Sequence, residues 1–274
     1  MITDILVCPI CRNGLSFSEG GRSLVCPSGH CFDISSSGYV NLTRGSSVNI
    51  SGDSKDMIRA RRDFLAAGYY LPIANGVVEA LDAVSPSRIV DAGCGEGYYT
   101  SHFAKSFPHA GVIGFDLSKP GIELASKAAK RDGLSDRLSY SVCGIFDLPI
   151  RDRSVSAVTN LFAPCAGEEF RRVLRDDGRL ITVVAGVRHL FGLKAAIYDE
   201  PYENEERRDS IDGFVLDDII EVRQTATISK EHIFPLFTMT PYYFRTGERD
   251  KDKLLSLDSL TTEVAADILI YRKV

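Results

Sequence analysis

The sequence predicts an α/β fold: a mostly parallel sheet flanked by helices and preceded by a small β module stapled by a metal ion. Three observations predict it. From residue 88 onward, apolar runs of strand length alternate with amphipathic helical stretches, the rhythm of a parallel sheet. The first of these runs, "RIVDAGCGEG" (88–97), passes straight into a glycine-rich turn. At the front stand two cysteine knuckles, "CPIC" (8–11) and "CPSGHC" (26–31).

A chain of 274 residues has room for one large domain and a small appendage. The expected division is a front module over 1–45, a basic connector with helices over 46–85, and the α/β domain over 86–274. Hydrophobic content of 44% and charged content of 25% are those of an ordinary globular protein. No window holds about 18 consecutive apolar residues, and "MITDILVCPIC" lacks the basic and long apolar regions of a secretion leader. The chain is therefore expected in the cytoplasm, clear of membranes, with its seven cysteines as thiols or metal ligands rather than disulfides. A net charge of −5 argues against broad, nonspecific nucleic-acid binding. The charge is uneven, though: residues 1–62 carry seven basic and five acidic side chains, or +2, which leaves −7 on the rest.

In the front module, each knuckle is a tight turn able to aim two side chains at one ion. Zn²⁺ takes four soft or borderline ligands at the corners of a tetrahedron. Pro9 and Pro27 follow the first cysteine of each pair and favour the turn. Between the knuckles, "LSFSEGGRSLVC" reads as strand, turn, strand. A segment this short cannot bury enough apolar area to fold alone, so a structural zinc would supply the missing stability. Cys8, Cys11 and Cys26 are three candidate ligands. The fourth is His30 or Cys31, which as neighbours in a strand would point opposite ways.

Next along the chain, Lys55, Arg59 and Arg62 fall at helical spacing in "KDMIRARRDFL". They form either a face for phosphates or a solvated surface paired with Asp56 and Asp63. The run at 88–92 is read as a buried parallel strand. Asp91, Gly93, Gly95 and Gly97 then make a D-x-G-x-G-x-G turn leading to a helix near Tyr98, whose N-terminus can receive a ligand. A dinucleotide fingerprint would need glycine at 98, where tyrosine stands. The next strand, "AGVIGFDLS", ends near Asp116, an acid placed to accept bonds from ribose hydroxyls. A helix (120–133), a strand (137–144), a strand running into the loop "NLFAPC", and a helix–turn–strand (167–186) follow. Residues 198–214 are polar and poorly periodic and read as a loop or short helices over the site; "TTEVAADILIYRKV" reads as an antiparallel edge strand.

The turn with its preceding Asp91 resembles motif I of the class I S-adenosylmethionine (SAM) methyltransferases, which implies a Rossmann-like domain with a mostly parallel seven-stranded sheet that binds SAM. The acid that many members place four residues before a Leu-Pro pair, to hold the adenine amine, is here Gly144, ahead of Leu148 and Pro149; backbone groups near Cys143 and Ile145 are expected to take over. Taken together, "CPIC…CPSGHCFD", "GYVNL", "GDSKDMIRARRDFLAAGYY", "DAGCGEGYYT", "FAPC" and "RHL" resemble the RlmA family of 23S rRNA guanine-N1 methyltransferases over most of the chain. That resemblance implies zinc on Cys8, Cys11, Cys26 and His30 with Cys31 outside the set, and SAM contacts at Tyr70, Gly95, Glu96 and His189. It also implies a homodimer whose zinc modules help form a basic cleft, and a product methylated at N1 of a guanine in a hairpin loop of 23S rRNA.

For the chemistry, a SAM sulfonium is already activated, so the protein mainly aligns the reacting atoms. Guanine N1 carries a proton that something must accept. His189, Asp199 and Glu200 are candidates by position only, and the catalytic base is left unassigned. Phe162 is placed to stack on a looped-out guanine or to sit in the core. Cys165 raises a rival mechanism, thiolate attack on a pyrimidine ring. Two further alternatives are a small-molecule methyltransferase, which needs no ribbon, and a non-catalytic zinc and RNA-binding protein, which would not bind SAM.

Overall fold

The structure, a computed structural model, describes residues 2–44, 55–208 and 210–274. The front module is a three-stranded antiparallel sheet of β1 (Ser16–Phe17), β2 (Ser23–Val25) and β3 (Cys31–Asp33). A short β4 (Val40–Asn41) follows. Two helices, α1 (Lys55–Ala66) and α2 (Leu71–Asp82), lead into the α/β unit. That unit runs β5 (Arg88–Ala92), α3 (Tyr98–Ser106), β6 (Gly111–Asp116), α4 (Lys119–Arg131), β7 (Leu138–Val142), β8 (Val155–Leu161), α5 (Gly167–Val173), β9 (Leu174–Ala185), α6 (Phe191–Ile197), β10 (Phe214–Ser229), α7 (Lys230–Thr238), α8 (Glu248–Leu255) and β11 (Ser259–Lys273).

The main sheet has the order β10-β11-β9-β8-β5-β6-β7-β4. Strands β4 to β9 pair in parallel, and β10 and β11 are antiparallel to their neighbours. Two expectations are corrected here. The sheet has an eighth strand, because β4 from the front of the chain adds to β7 through Val40 and Asn41 opposite Ser141 and Val142. The C-terminal strand β11 is not at the edge. It is sandwiched between β9 and β10, and the sixteen-residue β10 forms the edge.

Local sequence explains the elements. In α4, Ile122, Ala125, Ser126 and Ala129 are buried at i, i+3, i+4, i+7, with Lys127 and Lys130 on the far side. The Ser118 side chain accepts the Gly121 N–H as its N-cap. Strands β5 to β8 are buried along nearly their whole length, as parallel strands covered on both faces must be.

Successive strand residues alternate between two apolar cores, one on each face. Ile89, Val112, Ala157 and Ile181 join α1–α4, α6 and α7 on one face. Val90, Ile113, Val158 and Leu180 meet α5 on the other. No helix connects β7 to β8 among the described residues 143–154, and the front module covers the sheet there instead. Leu6, Cys8, Leu15, Leu24 and Cys26 share that second core with Ile113, Phe115, Leu148 and Ile150. Backbone bonds stitch the seam: Val7 N–H to the Pro149 carbonyl (2.9 Å) and Arg151 N–H to the Ile5 carbonyl (2.9 Å). Among the described residues, no single helix is long and apolar enough to cross a membrane.

Candidate metal centre and cofactor site

The two knuckles bring Cys8, Cys11, Cys26 and His30 together, with one ligand atom from each inside 4.8 Å of the others. Cys11 Sγ lies 3.6 Å from Cys26 Sγ, and His30 Nδ1 lies 3.3 Å from Cys26 Sγ and 3.5 Å from Cys8 Sγ. A tetrahedral zinc with Zn–S near 2.3 Å and Zn–N near 2.0–2.1 Å has edges of about 3.6–3.8 Å, so this donor set fits that ion. Four protein ligands leave no open position for water, which makes the site structural rather than hydrolytic. The Cys11 thiol is pulled down to about 6, first by the Asn13 N–H aimed at its sulfur. Cys31 is exposed on β3 and outside the cluster.

A cavity of about 650 Å³ lies at the C-terminal ends of β5, β6, β8 and β9. The glycine turn forms its floor. Gly93, Gly95 and Gly97 all have positive φ (83°, 55° and 81°). A Cβ at Gly93 would come within 2.9 Å of the Ala163 Cβ, and one at Gly97 within 2.5 Å of the Tyr140 hydroxyl, so both space and backbone demand glycine there. Gly97 caps α3 and does not itself line the cavity; Gly93, Gly95 and Glu96 do.

Asp91 and Asp116 face the same cavity in different states. Asp116 takes the Gly95 N–H (2.9 Å) on one oxygen and the Ser118 N–H (2.7 Å) on the other, which leaves a lone pair on each for a ligand hydroxyl. Asp91 is 2% exposed and accepts the hydroxyls of Thr100 (2.6 Å) and Thr159 (2.9 Å). Burial pushes its carboxyl up to about 6, against the pull of the two threonines and with a small push from Asp116. Thr159 and the Asn160 amide, which donates to the Ala92 carbonyl, were not anticipated. Their sequence signal is polar residues inside the otherwise apolar strand "SAVTNLF".

On the opposite wall, His189 lies between Tyr70 and Phe162. Its Nδ1 accepts the Ala265 N–H (3.2 Å), so the proton sits on Nε2, 3.0 Å from the Tyr70 hydroxyl. Burial lowers the imidazole to about 4. His189 is thus neutral, with its basic lone pair taken, and does not serve as the proton acceptor. Nε2–H donates to Tyr70, which leaves the Tyr70 proton for another acceptor. Burial raises the Tyr70 phenol, so it stays protonated. Phe162 stacks on His189 (5.9 Å, 23°), is 44% exposed, and has a φ of +52°, a strained backbone for a side chain of this size.

The remaining candidates separate. Asp199 is fully exposed and faces Lys253 (3.7 Å), and neither it nor Glu200 lines the cavity. The cavity's carboxylates are Asp91, Glu96 and Asp116, all near the glycine turn. Cys165 is exposed and outside this cavity, although its neighbours Ala163 and Pro164 line it. Cys143, Ile145 and Phe146 line another wall of the cavity, on either side of Gly144. Of the polar stretch 198–214, Asn204 reaches the cavity. Lys194, 0% exposed, donates to the Tyr202 carbonyl (3.0 Å) and the Asn204 amide oxygen (2.6 Å), and Asn204 lines the cavity. On α1, Arg59 pairs with Asp56 and Arg62 with Asp63, the solvated alternative, while Arg61 reaches the cavity; the Lys55 side chain lies outside the described residues.

The cavity suits SAM on its own terms. The glycine turn lets backbone approach a ligand, three carboxylates face a doubly cationic methionine-like group, and the buried Tyr99 hydroxyl on the wall has no hydrogen-bond partner among the described residues.

Residues 6–43 match the family model described as RlmA, N-terminal, and residues 89–178 that of a methyltransferase domain. A 23S rRNA (guanine(748)-N(1))-methyltransferase of Streptomyces fradiae is 34% identical over 201 residues, covering 72% of this chain and 69% of its own. A Micromonospora griseorubida protein with a provisional 23S rRNA (guanine-N1)-methyltransferase name is 37% identical over 69% of this chain and 68% of its own. The similarly named Bacillus subtilis YxjB is 30% identical over 97% of this chain and 96% of its own. A solved geranyl diphosphate methyltransferase in complex with SAM shares the fold at a TM-score of 0.51 and 17% identity, covering 78% of this chain and 90% of that one.

Two outcomes follow from this geometry. His30→Ala should lose its zinc, whereas Cys31→Ser should keep one zinc per chain, as counted by elemental analysis of the purified proteins. Asp91 protonates as pH falls through about 6, which removes a negative charge facing a cationic ligand. SAM binding followed by calorimetry should therefore weaken from pH 7.5 to 5.5, and Asp91→Asn should flatten that slope; an equal slope in the variant would discount Asp91.

Proposed function

The chain belongs to the RlmA-type family of 23S rRNA (guanine-N1)-methyltransferases, and from that premise we propose that it methylates N1 of a guanine in a hairpin loop of 23S rRNA. The observation that carries the reading is the union, in one chain, of a ribbon matching the RlmA N-terminal model with a cavity suited to SAM. SAM supplies an activated methyl group on its sulfonium. The chain supplies positions. Asp116 receives the ribose hydroxyls, the glycine turn and Glu96 hold the methionine end near Asp91, and the Tyr70 proton, directed by His189, meets the ligand carboxylate. The wall of Cys143, Ile145 and Phe146 takes the adenine.

Phe162, half-exposed above the cavity, is the platform on which the guanine stacks. Its strained φ fits a residue held in place for binding rather than for packing. Transfer forms the N1–methyl bond, breaks the methyl–sulfur bond and releases the N1 proton. The front of the molecule, with the ribbon, would face the phosphates of the hairpin, and two copies would complete a cleft. The cytoplasm, where rRNA is found, is the compartment that such a substrate requires.

Mass spectrometry of large-subunit rRNA fragments, with and without the protein, tests the reading. One added methyl on a single guanine is expected; unmodified rRNA would refute it. In the same assay Phe162→Ala should lower kcat/KM for rRNA by about 10- to 100-fold, the loss of one stacking platform, while SAM affinity stays within about threefold.

A further inference from the structure

The first zinc knuckle is bolted to a wall of the cofactor cavity, and we propose that zinc binding and SAM binding are coupled through this contact, with Arg12 as the positioning residue. This rests on the reading of the cavity as a SAM site. Arg12 lies between the ligands Cys8 and Cys11 on one side and Asn13 on the other. Its N–H donates to the Cys8 carbonyl (2.8 Å), and the Cys8 N–H donates to the Asn13 carbonyl (2.7 Å). The turn holds Arg12 at φ +60°, a left-handed conformation that costs a non-glycine residue energy and persists only where its surroundings impose it. Two metal ligands within the same turn impose it.

From that position the guanidinium leaves the ribbon altogether. Nη1 donates to the Leu148 carbonyl (2.9 Å), and Nη2 pairs with the Asp147 carboxylate. Arg44 grips the other oxygen of Asp147 (3.0 Å) and also donates to the Pro9 carbonyl inside the knuckle. Asp147 and Leu148 end the 143–149 loop. Its Cys143, Ile145 and Phe146 line the cavity, and the Cys143 thiol reaches back to the Asp147 carbonyl (3.6 Å). With no helix between β7 and β8, side chains hold Leu148 and Asp147 from two sides among the described residues. One is the front of the chain, through Arg12 of the knuckle and Arg44. The other is α5, through Arg172 to the Leu148 carbonyl (2.9 Å) and Glu169 to its N–H. Releasing the ion frees the knuckle from its strained turn and withdraws Arg12, so the adenine wall loses the guanidinium that ties Asp147 and the Leu148 carbonyl to the ribbon and is more loosely held on that side. Coupling of two sites is reciprocal, so SAM in turn tightens the hold on zinc.

Asp147 offers a test away from the metal ligands, since it neither binds the ion nor lines the cavity. SAM affinity and zinc content would be measured on the full-length, zinc-loaded wild type and on Arg12→Ala, Asp147→Asn and the double variant. Each single variant should weaken SAM binding by about 5- to 50-fold, with Asp147→Asn keeping its zinc and its circular dichroism. The double variant should be no weaker than the weaker single, because both remove the same brace. Saturating SAM should slow zinc release to a chelator in the wild type and much less in Asp147→Asn. An Asp147→Asn protein that binds SAM as the wild type does, or a release rate indifferent to SAM, would overturn the coupling. A wild type that does not bind SAM at all would overturn the cavity assignment and the coupling with it.

Discussion

The packing of the ribbon onto the sheet is the constraint on which the rest of the molecule depends. Leu6, Cys8 and Leu24 are buried in the same apolar cluster as Ile113, Phe115 and Leu148, at the place where no helix covers the strands. Fully burying a Leu, Ile or Phe side chain contributes about 1.5–3 kcal/mol. A forty-residue ribbon cannot reach stability on that alone, and the sheet cannot leave its apolar face in water. The two halves solve each other's problem, and the zinc ligands fix the shape of the piece that fits. The added strand β4 closes the arrangement by extending the sheet with backbone from the front of the chain.

That constraint shapes the site. A ribbon on a flexible tether could present RNA to a finished cofactor domain. Here it is instead part of the domain: the seam between Val7 and Pro149 runs directly behind the loop that walls the cavity. The opposite wall is built from the other core. There Tyr70, at the end of the connector, meets His189 from beyond β9 and Phe162 from beyond β8. Asn204 is held against the same region, accepting from Lys194 and donating to the Gly186 and His189 carbonyls. The cavity is thus a junction of segments distant in sequence, and its shape reports the state of both cores.

Much of this was legible in the sequence where a short stretch determines its own geometry. The knuckle spacing brought Cys8, Cys11 and Cys26 together and left His30 or Cys31 as the fourth candidate, and the glycine turn with Asp91 and Asp116 pointed to the cavity floor. Both depend on local turns and on a parallel strand with strong periodicity. The choice of His30 over Cys31 came from the family resemblance, not from the turn itself. What was hidden depends on tertiary partners. Thr159, which holds Asp91, and the Ala265 N–H that fixes the His189 tautomer come from strands 68 and 76 residues away, and Thr100 reaches Asp91 from α3. The edge position of β10 and the interior position of β11 follow from the order in which antiparallel strands are added, which alternation along one strand does not encode. The pairing of Arg59 and Arg62 with neighbouring acids, and the turn of Arg61 toward the cavity, depend on which face of α1 packs inward.

The central claim is that ribbon and sheet form one mechanical unit with the metal at its corner. Hydrogen–deuterium exchange of the full chain, before and after zinc is chelated, tests it most directly. The structure predicts that protection is lost over residues 143–149 as well as over the ribbon, while β8 and β9 stay protected. Loss confined to residues 6–34, with the 143–149 loop unchanged, would contradict it.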